Sequence, residues 1–430
     1  MILKTLKQLN HPMSPTTHSS HIPRLRFSGF FGEWEETRRG KEFTNFPTNS
    51  ISRDGLNYEE GEIKNIHYGD IHTKFNILFD ITKEKVPYIN LDIKFNQSNI
   101  CDKGDIIVAD ASEDYSDIGK AIEITNIDNQ KIVAGLHTLH FRSKDKIFAS
   151  GFLGYLLKTS SFRRKIQFIA QGAKVLGISV KEFNKIGFII PEKQEQTKIA
   201  SFLSAVDEKI QSLTDLRTAW ADYKTGIMQQ IFSQEIRFPG FTDEWEEKKL
   251  GEVCDLKNGY AFESSNYVEG GDYKIITISN VQNGQLNLSS FNTINSLPVD
   301  IKNYQILKKG DLLISMTGNV GRVCIVNQNN LLLNQRVGKL EIKKINQIFF
   351  YQLIRQNKFV FKMTQLAQGG AQPNIGKFDI LGYKLQIPSL PEQEKIANFL
   401  SSIDDKIVEL DAQIQIAKQW KIGLLQGLFI

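Results

Sequence analysis

Between about residues 192 and 233 the apolar positions fall at Ile199, Leu203, Val206, Ile210 and Leu213, then at Trp220 and Ile227. Steps of four and three that resume at seven form a heptad seam, which predicts one long helix. No proline interrupts it, and its first glycine is Gly226. The seam returns at Ile396, Leu400, Ile403, Ile407, Leu410, Ile414 and Ala417, then at Leu424 and Leu428. A helix of about 40 residues is about 60 Å long at 1.5 Å rise per residue. The simplest packing sets the two helices against each other, antiparallel, because the long chain between them allows it. Lys224 and Lys421 interrupt both seams, and Arg217 interrupts only the first. A charge in a seam costs stability and commonly fixes register. Phe202, Phe399, Tyr223, Trp420, Phe232 and Phe429 are apolar beyond the seam. Two readings are open for them: packing on the adjacent domains, or docking of partner helices.

The two helices are copies. Ile199-Ala-Ser-Phe-Leu-Ser-Ala-Val-Asp-Glu-Lys-Ile210 matches Ile396-Ala-Asn-Phe-Leu-Ser-Ser-Ile-Asp-Asp-Lys-Ile407 at eight of twelve positions, with an offset of 197. Pro191 maps to Pro388 at the same offset. Upstream, Arg26-Phe-Ser-Gly-Phe-Phe-Gly-Glu-Trp-Glu-Glu36 matches Arg237-Phe-Pro-Gly-Phe-Thr-Asp-Glu-Trp-Glu-Glu247 at an offset of 211, and Gly40 answers Gly251. The stretch between the paired segments is therefore longer in the first copy, by the difference between the two offsets. Pro191-Glu-Lys-Gln-Glu-Gln-Thr set beside Pro391-Glu-Gln-Glu-Lys predicts a small insertion or deletion at the domain–helix junction. Internal repetition of this kind defines the architecture. Edges and helices are kept while the interiors diverge, a pattern that neutral drift alone does not explain.

Residues 24–190 and 235–388 alternate strand-like runs with Gly, Asn and Asp turn signals. Asp105–Ala109, Lys274–Ile278 and Asp311–Ser315 are examples, and Ile348–Arg355 and Phe152–Leu157 carry short helical patterns. The predicted fold is α+β: two mixed α/β domains with antiparallel sheet, two long helices forming an antiparallel coiled coil, and an internal pseudo-two-fold repeat. The predicted segments are a disordered leader 1–21, a first domain 22–190, a helix 191–234, a second domain 235–388 and a helix 389–430.

Polar, glycine-flanked loops supply the candidate chemistry. Thr317-Gly-Asn-Val-Gly-Arg322 presents Asn319 and Arg322, and Asn334, Gln335 and Arg336 follow in one turn. Gln368-Gly-Gly-Ala-Gln372 leads to Asn374 and Lys377. In the first insert the matching places are Gly119-Lys120, His137 to Arg142, and Gln171-Gly-Ala-Lys174, with Arg163 and Arg164 adding positive charge. Glycine lets backbone approach a phosphate closely, Asn and Arg pair bidentately with adenine and guanine edges, and Lys and Arg suit phosphate. As a set these loops point to nucleic-acid binding. The seam residues Ile199, Leu203, Val206, Ile210, Leu213, Ile396, Leu400, Ile403, Ile407 and Leu410 are candidates for helix pairing or partner docking.

A length of 430 residues implies two or more domains, and a net charge of +5 permits a polyanionic partner. Cys101, Cys254 and Cys324 lie far apart without a CxxC, so reduced thiols in a cytoplasmic, nucleoid-associated protein are expected. No apolar run approaches the roughly 18–20 residues that a membrane span needs. No P-loop, GxGxxG or methyltransferase Asn/Asp-Pro-Pro-aromatic motif occurs. Every histidine lies at or before His140, and neither His18/His21 nor His137/His140 has a third metal ligand nearby in sequence. Asp102, Asp105 and Asp311 sit in Lys-Gly-Asp turns and read as turn residues. No catalytic or metal constellation is expected.

The duplicated layout resembles the specificity subunit of type I restriction-modification systems. So do the Arg-Phe-x-Gly-Phe-x-x-Glu-Trp-Glu-Glu lead-ins, the Lys-Gly-Asp turns, Gly318-Asn-Val-Gly-Arg322, Asn334-Gln335 and Pro391-Glu-Gln-Glu-Lys-Ile-Ala397. The likeness covers about residues 22–430; the leader departs from it. It implies two target-recognition domains on double-stranded DNA, each reading one half of a split, asymmetric site, with the helices setting the gap. It also implies two docked methyltransferase subunits and motor-nuclease subunits, with S-adenosylmethionine, ATP and Mg²⁺ on those partners and no catalysis by this chain. The alternatives are a subunit of a related type II-like restriction–methylation enzyme, or a DNA-binding scaffold without sequence preference.

Overall fold

The computed structural model describes residues 9–10, 21–37, 42–94, 99–144, 146–368 and 372–430. Of the sequence expectations, most of the leader, Gly40 and the centre of the Gln368–Gln372 loop lie outside these residues. Within the leader, a two-residue strand, Leu9–Asn10, pairs antiparallel with Arg26–Phe27. The two long helices run over Lys193–Phe232 and Leu390–Leu428. The chain divides into two compact units, residues 1–215 with 411–430, and residues 216–410. Each helix thus contributes one half to each unit, so the units cut across the serial order of domains and helices expected from the sequence.

In the first unit a five-stranded sheet runs in the order Phe43–Phe46, Thr138–Ser143, Ile106–Ala109, Ala121–Asn126, Leu78–Asp80. Its pairings are antiparallel except the last. A four-stranded sheet has the order Lys131–Ala134, Ile63–Ile66, Tyr88–Ile89, Leu56–Asn57. The central strand Ile106–Ala109 is buried at every position. Its side chains alternate between faces. Ile106 and Val108 therefore join a core with the helices, while Ile107 and Ala109 join a second core toward the other sheet. That two-sided burial explains why the strand reads as an unbroken apolar run. The second unit repeats the plan: Leu312 and Ile314 face the helices and Leu313 faces the other way. Its sheets are Cys254–Asn258, Val337–Ile342, Leu312–Ser315, Val323–Ile325, and Asn292–Ile294, Tyr273–Ile276, Leu331–Leu333, Ile306–Leu307.

The long helices pack antiparallel inside each unit. In the first, Ile199, Leu203 and Val206 share a core with Leu424 and Leu428, so the start of one helix meets the end of the other. In the second, Ile396, Leu400 and Ile403 meet Met228 and Ile231. Ile210 and Ile407 are partly buried at the edges of these cores, and Leu213 and Leu410 are buried. The seam charges are paired. Lys224 Nζ lies 2.6 Å from Asp404, and Lys421 pairs with Asp207. Asp207 and Asp404 are repeat mates, so each helix gives one lysine and one aspartate to an identical exchange. Gln352 donates to Asp404 at 2.8 Å, and Tyr155, its mate, donates to Asp207 at 2.8 Å.

The lead-in motifs close onto the helix starts. Arg26 holds Glu195 through two bonds of 2.9 and 2.8 Å, and Arg237 holds Glu392 through two of 3.0 and 2.7 Å. Both glutamates are buried. Gln196 donates to the Pro191 carbonyl and accepts from Ala149; Gln393 does the same with Pro388 and Asn346. Every one of these helix-side pairs keeps the same offset as the helices. The expected insertion or deletion at the junction is therefore absent: Pro388, not Pro391, is the mate of Pro191. The extra aromatics mostly pack on the domains. Phe202 meets Phe27 at 5.5 Å, Phe399 meets Phe238 at 5.5 Å, Phe232 meets Phe349 and Phe429 meets Trp34. Tyr223 stays exposed.

Candidate nucleic-acid interface

At one end of each pair of sheets, four chain segments converge through the same backbone bonds. In the second unit the Met316 N–H donates to the Arg336 carbonyl, the Ile375 N–H to Met316, the Ser315 N–H to Arg322, and the Asn334 N–H to Ile276. In the first unit Asp110 donates to His137, Ile178 to Asp110, Ala109 to Lys120, and Gly135 to Ile66. The strand registers agree, Ser315 with Val337 and Ala109 with Thr138. These bonds make His137 the counterpart of Arg336, Lys120 of Arg322, and Gly135 of Asn334. The polar loops singled out in the sequence, well separated along the chain, are thereby gathered into one surface per unit.

Several candidate side chains are committed to the protein itself. Arg142 takes both oxygens of Asp105 at 2.7 and 2.8 Å, and His140 Nε2 lies 2.7 Å from the same carboxylate. Burial would raise the Asp105 carboxyl, but Arg142 and then His140 outweigh it and hold it below its ordinary value. Asp105 is thus a buried anchor as well as a turn residue; its Oδ2 also accepts from the Asp102 N–H. Asp311 keeps the turn role by accepting from the Lys308 N–H, and pairs with Lys339. Lys120 pairs with Asp117 at 2.7 Å and donates to the His72 carbonyl. Arg163 donates to the carbonyls of Ser116 and Ile118, and burial lowers its pKa. Lys377 pairs with Asp255 at 2.8 Å. Asn374 accepts from the Thr317 hydroxyl, Asn334 is buried and accepts from the Arg336 N–H, and Arg322 donates to Gln282 at 2.6 Å. The remaining candidates are exposed: Arg164 and Lys174 in the first unit, and Asn319, Gln335, Arg336 and Gln372 in the second.

Two glycines serve packing here. Gly119 has φ +65°, and a Cβ on it would lie 2.5 Å from Ile166; Gly321 has φ +80°, and its Cβ would lie 2.7 Å from Met363. Ile166 and Met363 are repeat mates on the short helices Ser160–Ile169 and Asn357–Leu366. A helix resting directly on each loop demands glycine, so these two positions need no phosphate to explain them.

The fold also brings together groups that sequence spacing kept apart. Cys101, Asp105 and His140 lie within 4.8 Å of one another and are buried, which supplies the neighbours that His140 lacked in sequence. Arg142 already balances the carboxylate, and burial raises the Cys101 thiol, which keeps it protonated. The three cysteines are buried free thiols. Missed by sequence reading were Arg53 and the fully buried Asp70, joined at 2.7 and 2.8 Å beside the site, and His67, which caps Tyr68–Thr73 by accepting the Gly69 N–H. Also missed was Tyr260, whose carbonyl accepts from Gln335. Arg53 and Asp70 stand in separate segments, with no periodicity linking them.

Comparison with known proteins agrees with this geometry. Residues 33–219 and 242–417 each match the type I restriction modification DNA specificity domain, so the chain belongs to that family and carries its domain twice. It is 29% identical over 306 residues, 66% of this chain and 70% of the relative, to the type I restriction enzyme MjaVIII specificity subunit of Methanocaldococcus jannaschii. A putative MjaX specificity subunit of the same organism is 24% identical over 91% of this chain and 92% of its own. The EcoKI specificity subunit of Escherichia coli K12 is 22% identical over 59% of this chain and 58% of its own. The fold matches the crystal structure of a type I restriction-modification S subunit from M. genitalium, with a TM-score of 0.56 and 17% identity over 95% of this chain and 99% of that one. No helix among the described residues is long and apolar enough to cross a membrane.

Proposed function

We propose that this type I specificity subunit binds a bipartite, asymmetric DNA site, one half-site per unit, and docks two methyltransferase subunits, with motor-nuclease subunits joining them. The observation that carries this reading is the contrast inside the repeat. The framework Arg–Glu, Gln–Pro and Lys–Asp bonds are made twice with the same residue types, whereas the exposed turns at the convergent sheet ends differ in each copy. A chain that binds equivalent partners twice and reads two different sequences needs that division, which follows the half-site logic of dimeric DNA readers. Catalysis, S-adenosylmethionine, ATP and Mg²⁺ belong to the partners, and the complex works in the cytoplasm on the nucleoid.

The test is co-expression with the cognate modification subunit and genome-wide mapping of methylated bases. Two short defined blocks around a fixed unspecified gap are the expected outcome. A continuous motif, or methylation without sequence preference, would overturn the reading and favour a scaffold.

A further inference from the structure

The turn that carries the chain from one sheet to the other is Gly135-Leu136-His137 in the first unit and Asn334-Gln335-Arg336 in the second. Both turns are held by matching bonds: Gly135 N–H to Ile66 at 2.9 Å and Asn334 N–H to Ile276 at 3.1 Å on one side, and the His137 and Arg336 carbonyls, each accepting at 3.0 Å, on the other. All three residues differ between the copies, and the backbone differs at the third, where His137 but not Arg336 has a positive φ. We propose that this turn is the base-reading element of each unit, Arg336 reading a guanine-containing half-site and Leu136 with the His137–Asp110 pair reading a half-site of other composition, while Gln335, part of the motif that marks the family, belongs to the frame. The assignment rests on the DNA-reading function proposed above.

In the second unit the neighbouring Arg322, Asn334, Asn374 and Lys377 are tied to protein partners. Gln335 and Arg336 are exposed, and among the described residues the Arg336 guanidinium makes only a loose 3.5 Å contact to Gln372. A lightly held guanidinium fork matches the O6 and N7 acceptors of guanine in the major groove. In the first unit the same place holds a histidine at φ +53°, a left-handed conformation that side chains other than glycine adopt at a cost. Such backbone concentrates at functional sites. The His137 ring is half exposed, 3.4 Å from the Asp110 carboxylate through Nδ1, and edge-on to Tyr68 at 5.3 Å. With Nδ1 facing Asp110, the ring leaves Nε2 for a base edge, and Leu136 offers apolar contact to a thymine methyl. Leu136 and His137 also line a cleft of about 510 Å³ with Thr48, Ser50 and Lys94, so the first turn borders open space.

The experiment uses the full chain with its modification subunit, reading methylation motifs together with the salt dependence of DNA binding. Arg336→Lys should relax discrimination about 10- to 100-fold at positions in one block only, the size expected for a lost bidentate base contact, and Gln335→Ala should leave the motif of that block unchanged. His137→Gly keeps the left-handed backbone and should relax only the other block. If Arg336→Lys leaves the motif intact, or Arg336→Ala weakens all sequences equally with a shallower salt slope, Arg336 is a phosphate contact and the assignment is wrong. A wild-type complex that yields no split motif would overturn the underlying function and this assignment with it. A split motif that survives every turn variant would overturn the assignment alone.

Discussion

Arg26 on Glu195 and Arg237 on Glu392 are one bond made twice, whereas His137 and Arg336 hold equivalent places, each accepting one matching backbone bond, and share no chemistry. The difference follows from burial. Glu195 and Glu392 are 1% and 2% exposed. Losing either arginine strands a buried charge, which is strongly destabilising. The turn side chains face water, where exchanging one for another changes stability little. One molecule therefore holds a framework with almost no freedom to vary and a surface with a great deal.

The comparison is broken hardest at the helix seam. Leu203 and Leu400 are repeat mates with no exposed surface. Leu203→Ala and Leu400→Ala should each cost about 2–5 kcal/mol, the range for a large-to-small change in a packed core. Hydrogen exchange resolved by segment should show loss of protection first in the unit that holds the substitution. Equal loss in both units from either change would mean that the units open together.

The seam ion pairs sharpen the comparison. Asp404→Asn leaves Lys224, 6% exposed, beside a neutral amide and weakens the Gln352 bond. The expected cost is about 2 kcal/mol, the range for an unsatisfied buried charged group. Asp207→Asn should cost less, because Lys421 is 13% exposed. Denaturant midpoints of the two variants check the order, and a larger effect at Asp207 would contradict it.

The smallest effect separates the units by pH. His67 is buried, and burial with Arg53 nearby lowers its pKa to about 4. Its Nδ1 must stay unprotonated to accept the Gly69 N–H. The counterpart in the second unit is Thr277, which does not titrate. A histidine pKa lower in the folded state than its ordinary 6.5 means that the unfolded chain binds more protons between the two values. Stability from this group is complete above about pH 6.5 and falls as pH drops through about 4, by about 1–2 kcal/mol after a discount for solvent screening. Protection of the segment 63–73 should weaken over that interval, and His67→Asn should flatten the dependence. No change in slope on that substitution would remove His67 as the cause.

Much of this was legible in the chain. The seam residues from Ile199 to Leu213 and from Ile396 to Leu410 pack at the positions their spacing predicted, because a helical period survives in sequence. The strands at Ile106–Ala109 and Leu312–Ser315 were equally plain as apolar runs. The candidate loops were found as a group. Their individual roles were not, because an arginine that holds Asp105 and an arginine that faces water look the same in one dimension. Arg142 and Arg336 are that pair. Gly119 and Gly321 show the same limit: the need for glycine was visible, but the helix pressing on each loop was not.

By itself the sequence determined the duplication, the helix pattern, the fold class and the family, since all four rest on local periodicity and on residues repeated at fixed offsets. Only the tertiary structure decided which charges are spent and which are exposed. It closed Lys224 on Asp404, far along the chain, in a 2.6 Å ion pair. It also set His137 and Arg336 at equivalent places although the segments around them share little sequence. Pairing across such distances depends on strand register and burial, which no short window of sequence records.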